Sequence, residues 1–300
     1  MSTLLVAATG GHLSELVRLA PRLDLGDEPT WVTFDTPQSR ELLEGRDVVH
    51  AHYTKPRDFS AVARNTPLAI RLLRRRGYER VISTGPGIAL SFLPQAAALR
   101  RETHYVESLA RAVGPSVTGR ALQRVPGVRL YTQYPGWARG RWSYAGSVLD
   151  SYAALPGEPP SGRPLRVALS VGTIFPFPRL ADRLAQVLGG DAEVLLWQTA
   201  DPVPPAELRA AFREADAVVT HAGVGAALEA LEAGRRPLLV PRLARHGEHV
   251  DDHQLQVAGE LERRGLAVVR QPEDLTIEDL REAASGGVET VADPPPLDLR

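Results

Sequence analysis

The chain has 300 residues, 43% hydrophobic and 24% charged, a globular composition with room for two domains of ordinary size. It contains no cysteine, which excludes disulfides, thiolate metal sites and a cysteine nucleophile. The net charge of −1 conceals an asymmetry: residues 1–150 carry 20 Lys and Arg against 13 Asp and Glu, a surplus of +7, and the remainder carries −8, so the first half suits an anionic partner or simply bears a solvated arginine surface.

The N-terminus, MSTLLVAATGGH, lacks the basic segment, long apolar run and cleavage site of a secretory signal, so a cytoplasmic location is expected. Leu4 to Ala8 is an apolar run that leads through Thr9, Gly10, Gly11 and His12 into Leu13, Leu16, Val17, Leu19 and Ala20 at helical spacing. Strand, tight turn and helix open a doubly wound α/β domain. The turn is not GxGxxG and no acidic residue follows where a dinucleotide ribose needs one, which disfavours a Rossmann oxidoreductase. The alternation continues with strands at Thr30 to Phe34, Val48 to His52, Arg80 to Ser83 and Thr103 to Val106. Helices are expected around Ser39 to Leu43, from Ala61 or Pro67 to Arg76, and over Ile88 to Leu99. Such alternation predicts a parallel sheet covered on both faces, with ligands beyond the carboxyl ends of its strands. His12, Gly85 and Glu107 lie at such ends and should line one crevice.

The apolar helix from Ile88 to Leu99 is shorter than the ~20 residues that cross a bilayer and reads as a core helix. Ala69, Ile70, Leu72 and Leu73, interleaved with Arg71 and Arg74 to Arg76, suit either a solvated helix with one core face or contact with anionic headgroups. The run PGEPPSGRP marks a linker at 151–164 between domains at 1–150 and 165–285. In the second domain Leu165 to Ser170, Val194 to Trp197 and Ala217 to Thr220 read as strands, with a helix from Arg179 to Leu188. From Gly286 the chain is Gly- and Pro-rich, and a frayed tail over 286–300 is expected.

The most informative stretch runs from Ala217 to Gln254. A buried strand stops at His221-Ala222-Gly223-Val224-Gly225, and a helix begins at once with Glu229 one turn in. Backbone amides at that helix start would face an anion, and the glycines would let a diphosphate approach. A second strand, Pro237 to Val240, and a polar loop bring in Asp252, His253 and Gln254. Many α/β proteins carry a strand, a small-residue turn and a helix that bind nothing, so the weight comes from the ordered set.

HAGVGAALEALEAGRRPLLVP followed by DHQ resembles the donor half of inverting glycosyltransferases of GT-B fold that use UDP-N-acetylglucosamine. Among these are the enzyme completing the lipid-linked peptidoglycan precursor and the catalytic subunit of the two-subunit dolichol-diphosphate transferase. ATGGHLSEL, STGPG and YVESLARAVGPSVTGRAL resemble the non-catalytic, membrane-recruiting subunit of that transferase and its bacterial homologues in polysaccharide synthesis, as though both subunits were fused. The resemblance implies two Rossmann-like domains facing across a cleft, with Glu229 on the ribose, the turn from His221 through Gly223, Val224 and Gly225 on the diphosphate, and Thr173 touching it from the opposite wall. His253 and Gln254 would contact the donor sugar, and Asp252 stands where the family has Asn. Gly10, Gly11, Gly85 and Ser108 are the expected acceptor contacts.

Inverting transfer needs a base for the acceptor hydroxyl and stabilisation of the departing diphosphate. His12, with an ordinary pKa near 6.5, is the expected base, and Glu107 either orients it or is itself the base. Helix-start amides at Gly223 to Ala226 would take the leaving-group charge, so no metal cofactor is expected. His246, His249 and His253, with Glu248, Asp251 and Asp252, form the only cluster that hints at zinc. The expected activity moves a sugar from a UDP-sugar to a polyprenyl-diphosphate-linked saccharide in cell-surface polysaccharide synthesis. The enzyme would sit peripherally at the inner face of the plasma membrane through its basic half, with no nucleic-acid partner. A UDP-sugar 2-epimerase, or a non-enzymatic recruiting partner, is the alternative.

Overall fold

The computed structural model describes residues 2–55, 58–172, 175–190 and 192–300. Two compact units divide the chain, one of residues 1–148 with 294–300, the other of residues 149–293.

In the first unit, strands β1 (Thr3–Ala7), β2 (Thr30–Phe34), β3 (Val48–Ala51), β4 (Arg80–Gly85), β5 (Glu102–Val106), β6 (Val128–Thr132) and β7 (Trp142–Tyr144) form one parallel sheet in the order β3-β2-β1-β4-β5-β6-β7. The helices between them are α1 (Gly11–Leu19), α2 (Pro37–Leu42), α3 (Phe59–Arg75), α4 (Gly87–Ala98) and α5 (Val117–Leu122). β1 and β2 are buried at every position, as continuous apolar and β-branched runs must be when helices cover both faces. Leu5 pairs with Trp31 on one side and Ile82 on the other, so the order reverses between β1 and β4, and their carboxyl ends flank the crevice.

α3 begins at Phe59, where the Asp58 carboxylate accepts from the Ala61 amide, and it continues through Pro67. Its Ala69, Leu72 and Leu73 are buried while Arg71 and Arg74 to Arg76 are exposed, so the core consumes that apolar stripe. α4 is the expected core helix, with Ile88, Ala89, Phe92, Leu93 and Ala96 all at 0% exposure. No helix among the described residues is long and apolar enough to cross a membrane.

The second unit contains β8 (Tyr152–Pro156), β9 (Leu165–Ser170), α6 (Pro178–Leu188), β10 (Ala192–Gln198), α7 (Pro205–Glu214), β11 (Ala217–His221), α8 (Val224–Glu232), β12 (Leu238–Val240), α9 (His253–Arg263), β13 (Val268–Val269), α10 (Ile277–Ala284) and β14 (Gly286–Thr290). Its five-stranded parallel sheet runs β10-β9-β11-β12-β13, and the reversal falls between β9 and β11. Strand periodicity splits the core in two: Val167, Leu169 and Val219 pack with Phe177, Leu180 and Leu184 on one face, and Ala168 and Val218 pack with Phe212 and Ala230 on the other.

Two boundary expectations are corrected. β8 lies inside the expected linker at 151–164, and β14 lies inside the expected frayed tail at 286–300. The two pair antiparallel from Tyr152↔Thr290 to Pro156↔Gly286. Residues 294–300 then return to the first unit, where Leu297 is buried, its amide and that of Asp298 donate to the carbonyls of Arg22 and Ala145 at 3.0 Å each, and Arg22 Nε donates to the Pro295 carbonyl at 2.8 Å. Local composition could not show this, because each segment gains its order from a partner remote in sequence.

Candidate functional site

In the second unit the crevice at the strand-order reversal is built from two turns. β9 runs out through Val171 into Gly172 at φ +73°, and β11 ends at His221 before Gly223 caps α8. Thr220 Oγ1 donates to the Ser170 carbonyl at 2.5 Å, tying the strands together where they open. The His221 imidazole fills the space between the turns. A Cβ on Gly172 would lie 3.0 Å from its Cε1, and one on Gly223 would lie 2.8 Å from its Cδ2 and overlap Nε2. Both glycines therefore make room for the ring. Burial, followed by the nearby Arg242 guanidinium, holds the His221 pKa down at about 3, so the ring is neutral at physiological pH.

The Gly223 amide donates to the His221 carbonyl at 2.8 Å and is spent inside the turn. The expected amide set thus shrinks to Val224, Gly225 and Ala226, first-turn groups without an intrahelical acceptor. Glu229 follows on the same helix, half-buried, with Oε2 shielded from solvent. Thr173 lies outside the described residues.

The loop after β12 is held by its own polar side chains. Gln254, 2% exposed, accepts from the Arg242 amide through Oε1 at 3.0 Å, which leaves its NH2 group as the end that can meet a sugar. Asp252 accepts from the Ala244 amide at 2.8 Å, which explains a carboxylate there as a loop clasp. Glu248 is gripped by Arg179 Nε at 2.8 Å and a second guanidinium nitrogen at 3.0 Å, and takes the Leu243 amide at 3.0 Å. Sequence patterning gave no reason to single out Arg242. It is 3% exposed, donates to the carbonyls of Val171 and Phe175, and its guanidinium stacks 5.3 Å from the Phe177 ring centroid. Desolvation lowers its pKa to about 10, so it remains a cation bound to the chain that leaves β9, close enough to His221 to act on its ring, and its field favours an anion.

In the first unit, His12 sits in the first turn of α1 with Nδ1 2.8 Å from the Thr84 carbonyl, while Thr84 Oγ1 returns a bond to the His12 carbonyl at 2.9 Å. Gly10, at φ +86°, is clasped by Gln38, which accepts from its amide at 2.6 Å and donates to its carbonyl at 3.3 Å. Gly11 opens the helix. Gly85, at φ +87°, packs under Tyr105, whose hydroxyl oxygen would lie 3.1 Å from an added Cβ. These residues cluster at the β1 and β4 ends as expected.

Glu107 does not take the role expected of it. It is 1% exposed, accepts from the Tyr105 hydroxyl at 3.0 Å and from the amides of Ser116 at 2.8 Å and Ser108 at 3.3 Å, and so organises its own loop. The backbone carbonyl of Thr84, not Glu107, orients His12. Burial raises the Glu107 pKa. Ser108 is likewise turned inward: it donates to Glu15 at 2.6 Å and is 4% exposed, so its hydroxyl is engaged inside the fold rather than offered to an acceptor.

Glu15, unassigned by the sequence although it stands in the GGHLSEL run, is the hub. Fully buried, it also takes the Leu109 amide at 3.0 Å and Gln133 Nε2 at 2.8 Å, and desolvation raises its pKa to about 7.

Residues 205–289 match the glycosyltransferase family 28 C-terminal domain. Over 312 residues the chain is 28% identical to the UDP-N-acetylglucosamine--N-acetylmuramyl-(pentapeptide) pyrophosphoryl-undecaprenol N-acetylglucosamine transferase of Xanthomonas campestris pv. campestris, covering 90% of this chain and 70% of that one. The protein of the same description from Solibacter usitatus is 33% identical over 125 residues, 42% of this chain and 31% of that one. Among solved structures, Acinetobacter baumannii MurG superposes with a TM-score of 0.59 at 20% identity, covering 94% and 89% of the two chains. The glycosyltransferase SnogD from Streptomyces nogalater superposes with a TM-score of 0.54 at 23% identity, covering 95% and 93%. At these identities the structural likeness is one of fold: two α/β units of GT-B type.

Proposed function

We propose that the chain is an inverting glycosyltransferase that moves a sugar from a UDP-sugar to a polyprenyl-diphosphate-linked saccharide during cell-surface polysaccharide synthesis. One observation carries this reading: within the segment matching glycosyltransferase family 28, the β11 end, the Val224 to Ala226 amides and Glu229 lie in the order a nucleoside diphosphate requires, with a buried Arg242 cation acting on the His221 ring at the β11 end. The helix-start amides and the Arg242 field receive the charge of the departing diphosphate, so transfer proceeds without a divalent metal. Glu229 accepts from the ribose hydroxyls. The Gln254 NH2 group and His253 read the donor sugar. His12 takes the proton of the acceptor hydroxyl, and Glu15, Glu107 and Gln133 hold the loop that Ser108 belongs to.

The acceptor class follows from the relatives' printed activity and from the positive first half. Tyr53 and Phe59, 60% and 65% exposed, flank Lys55 in sequence where α3 begins, and the far end of α3 exposes Arg71 and Arg74 to Arg76; we place the peripheral contact with the inner face of an anionic membrane on this exposed basic and aromatic surface. In one polypeptide the chain then unites an acceptor-side, membrane-contacting unit with a donor-side unit, the two jobs that a two-subunit transferase divides.

The deciding experiment incubates the purified chain with a panel of UDP-sugars, with and without a polyprenyl-diphosphate saccharide, and follows both UDP release and lipid-linked product. Acceptor-dependent release with product of inverted configuration supports the reading. Conversion of the UDP-sugar without acceptor would make the chain an epimerase instead.

A further inference from the structure

The segment from residue 246 to residue 253 offers His246, Glu248, His249, Asp251, Asp252 and His253 as potential metal ligands. The fold sorts them. Glu248 is committed to Arg179 and the Leu243 amide, and Asp252 to the Ala244 amide. His246 stands exposed at the end of a short helical turn, with Nε2 accepting from Arg245 Nε at 3.2 Å. The other three converge. His249, Asp251 and His253 each present one ligand atom, and these atoms all lie within 4.8 Å of one another. His249 Nδ1 is 3.9 Å from Asp251 Oδ1, and His253 Nδ1 donates to the same oxygen. The two imidazoles meet edge to face with centroids 4.6 Å apart, and Phe175 packs against the His249 ring at 5.1 Å. Their side chains are only 14% and 17% exposed, so both rings are held in place before any ion arrives.

We propose that His249, Asp251 and His253 form a binding site for one divalent transition-metal ion of the zinc class. Two imidazoles and one carboxylate suit zinc, cobalt or nickel, whereas magnesium and calcium take oxygen ligands. Three protein ligands leave a fourth tetrahedral position open to water. The ligand set carries a single negative charge, and the open fourth position makes the ion exchangeable rather than structural. It is also not the catalyst. Resting on the role given above to His253, the ion and the donor sugar compete for one side chain, and zinc inhibits transfer competitively with the UDP-sugar.

The test titrates zinc chloride into chelator-treated, full-length protein without donor and follows heat. One ion per chain is expected, with affinity lowered at least about tenfold by His249→Ala, Asp251→Asn or His253→Ala and unchanged by His246→Ala. Absence of stoichiometric binding, or an equal loss in His246→Ala, overturns the site. A second arm measures the KM for the UDP-sugar with and without zinc. A rise in KM at constant kcat supports the competition. Zinc binding through these three residues with an unchanged KM upholds the site but overturns the competition and, with it, the role of His253 on the sugar.

Discussion

The carbonyl oxygen of Thr84 lies 2.8 Å from Nδ1 of His12, and this contact decides which nitrogen of the ring can act as a base. A carbonyl only accepts, so Nδ1 carries the hydrogen of the neutral imidazole and Nε2 carries the lone pair. His12→Ala should lower kcat for transfer by about 10²–10⁴-fold and leave the Kd for the UDP-sugar unchanged in calorimetry. Wild-type turnover in that variant would remove His12 from the mechanism.

Glu229 is expected to read the ribose rather than the sugar. Glu229→Ala should therefore weaken free UDP and the UDP-sugar alike, by about 10–150-fold, the worth of a hydrogen bond to a charged group. Equal affinity of variant and wild type for UDP, or a loss confined to the intact UDP-sugar, contradicts the assignment.

The turn before α8 leaves no room for a side chain at Gly223 beside His221. Gly223→Ala places a methyl group against the imidazole and should weaken donor binding. Removing the ring as well, in His221→Ala with Gly223→Ala, relieves the overlap, so the two changes should be strongly non-additive in a double-mutant cycle. Additive losses would show that the ring and the glycine act independently.

Glu15 gives the first unit a pH dependence of known sign. Its carboxyl is raised from 4.5 to about 7 by burial, so the folded chain holds that proton more tightly than the unfolded chain. The resulting stability is complete below about pH 4.5 and is lost as the pH rises through about 7, on the order of 3 kcal/mol in all. In Glu15→Gln this component disappears. Urea midpoints of wild type and variant should diverge in favour of the variant between these pH values, and a constant difference would refute the raised carboxyl.

Amides and a buried guanidinium, not a metal ion, are proposed to take the diphosphate charge. Initial rates should be unaffected by saturating EDTA. Loss of activity that magnesium or manganese restores would reassign the leaving-group chemistry to a metal.

Much of this was legible in the residues themselves. β2 and β9 fall over the residues expected, because a strand covered on both faces is dominated by apolar and β-branched side chains, with Arg166 of β9 turned partly outward. The small-residue turn before α8 was likewise legible from Gly223 and the helix periodicity behind it. What escaped was the direction of polar side chains. Glu107 and Ser108 stand at a strand end, as a catalytic pair would, yet both turn inward because the following loop offers the Ser116 amide to Glu107 and α1 offers Glu15 to Ser108. Arg242 was invisible because its partners are main-chain carbonyls, which carry no sequence signature.

The return of residues 294–300 to the first unit makes the polypeptide a poor candidate for simple dissection. Scission between Val148 and Leu149 would strand residues 294–300 on the wrong fragment and strip the first unit of buried Leu297 and of the bonds its segment makes to Arg22 and Ala145. Anyone wishing to produce the first unit by itself should append residues 294–300 through an added tether.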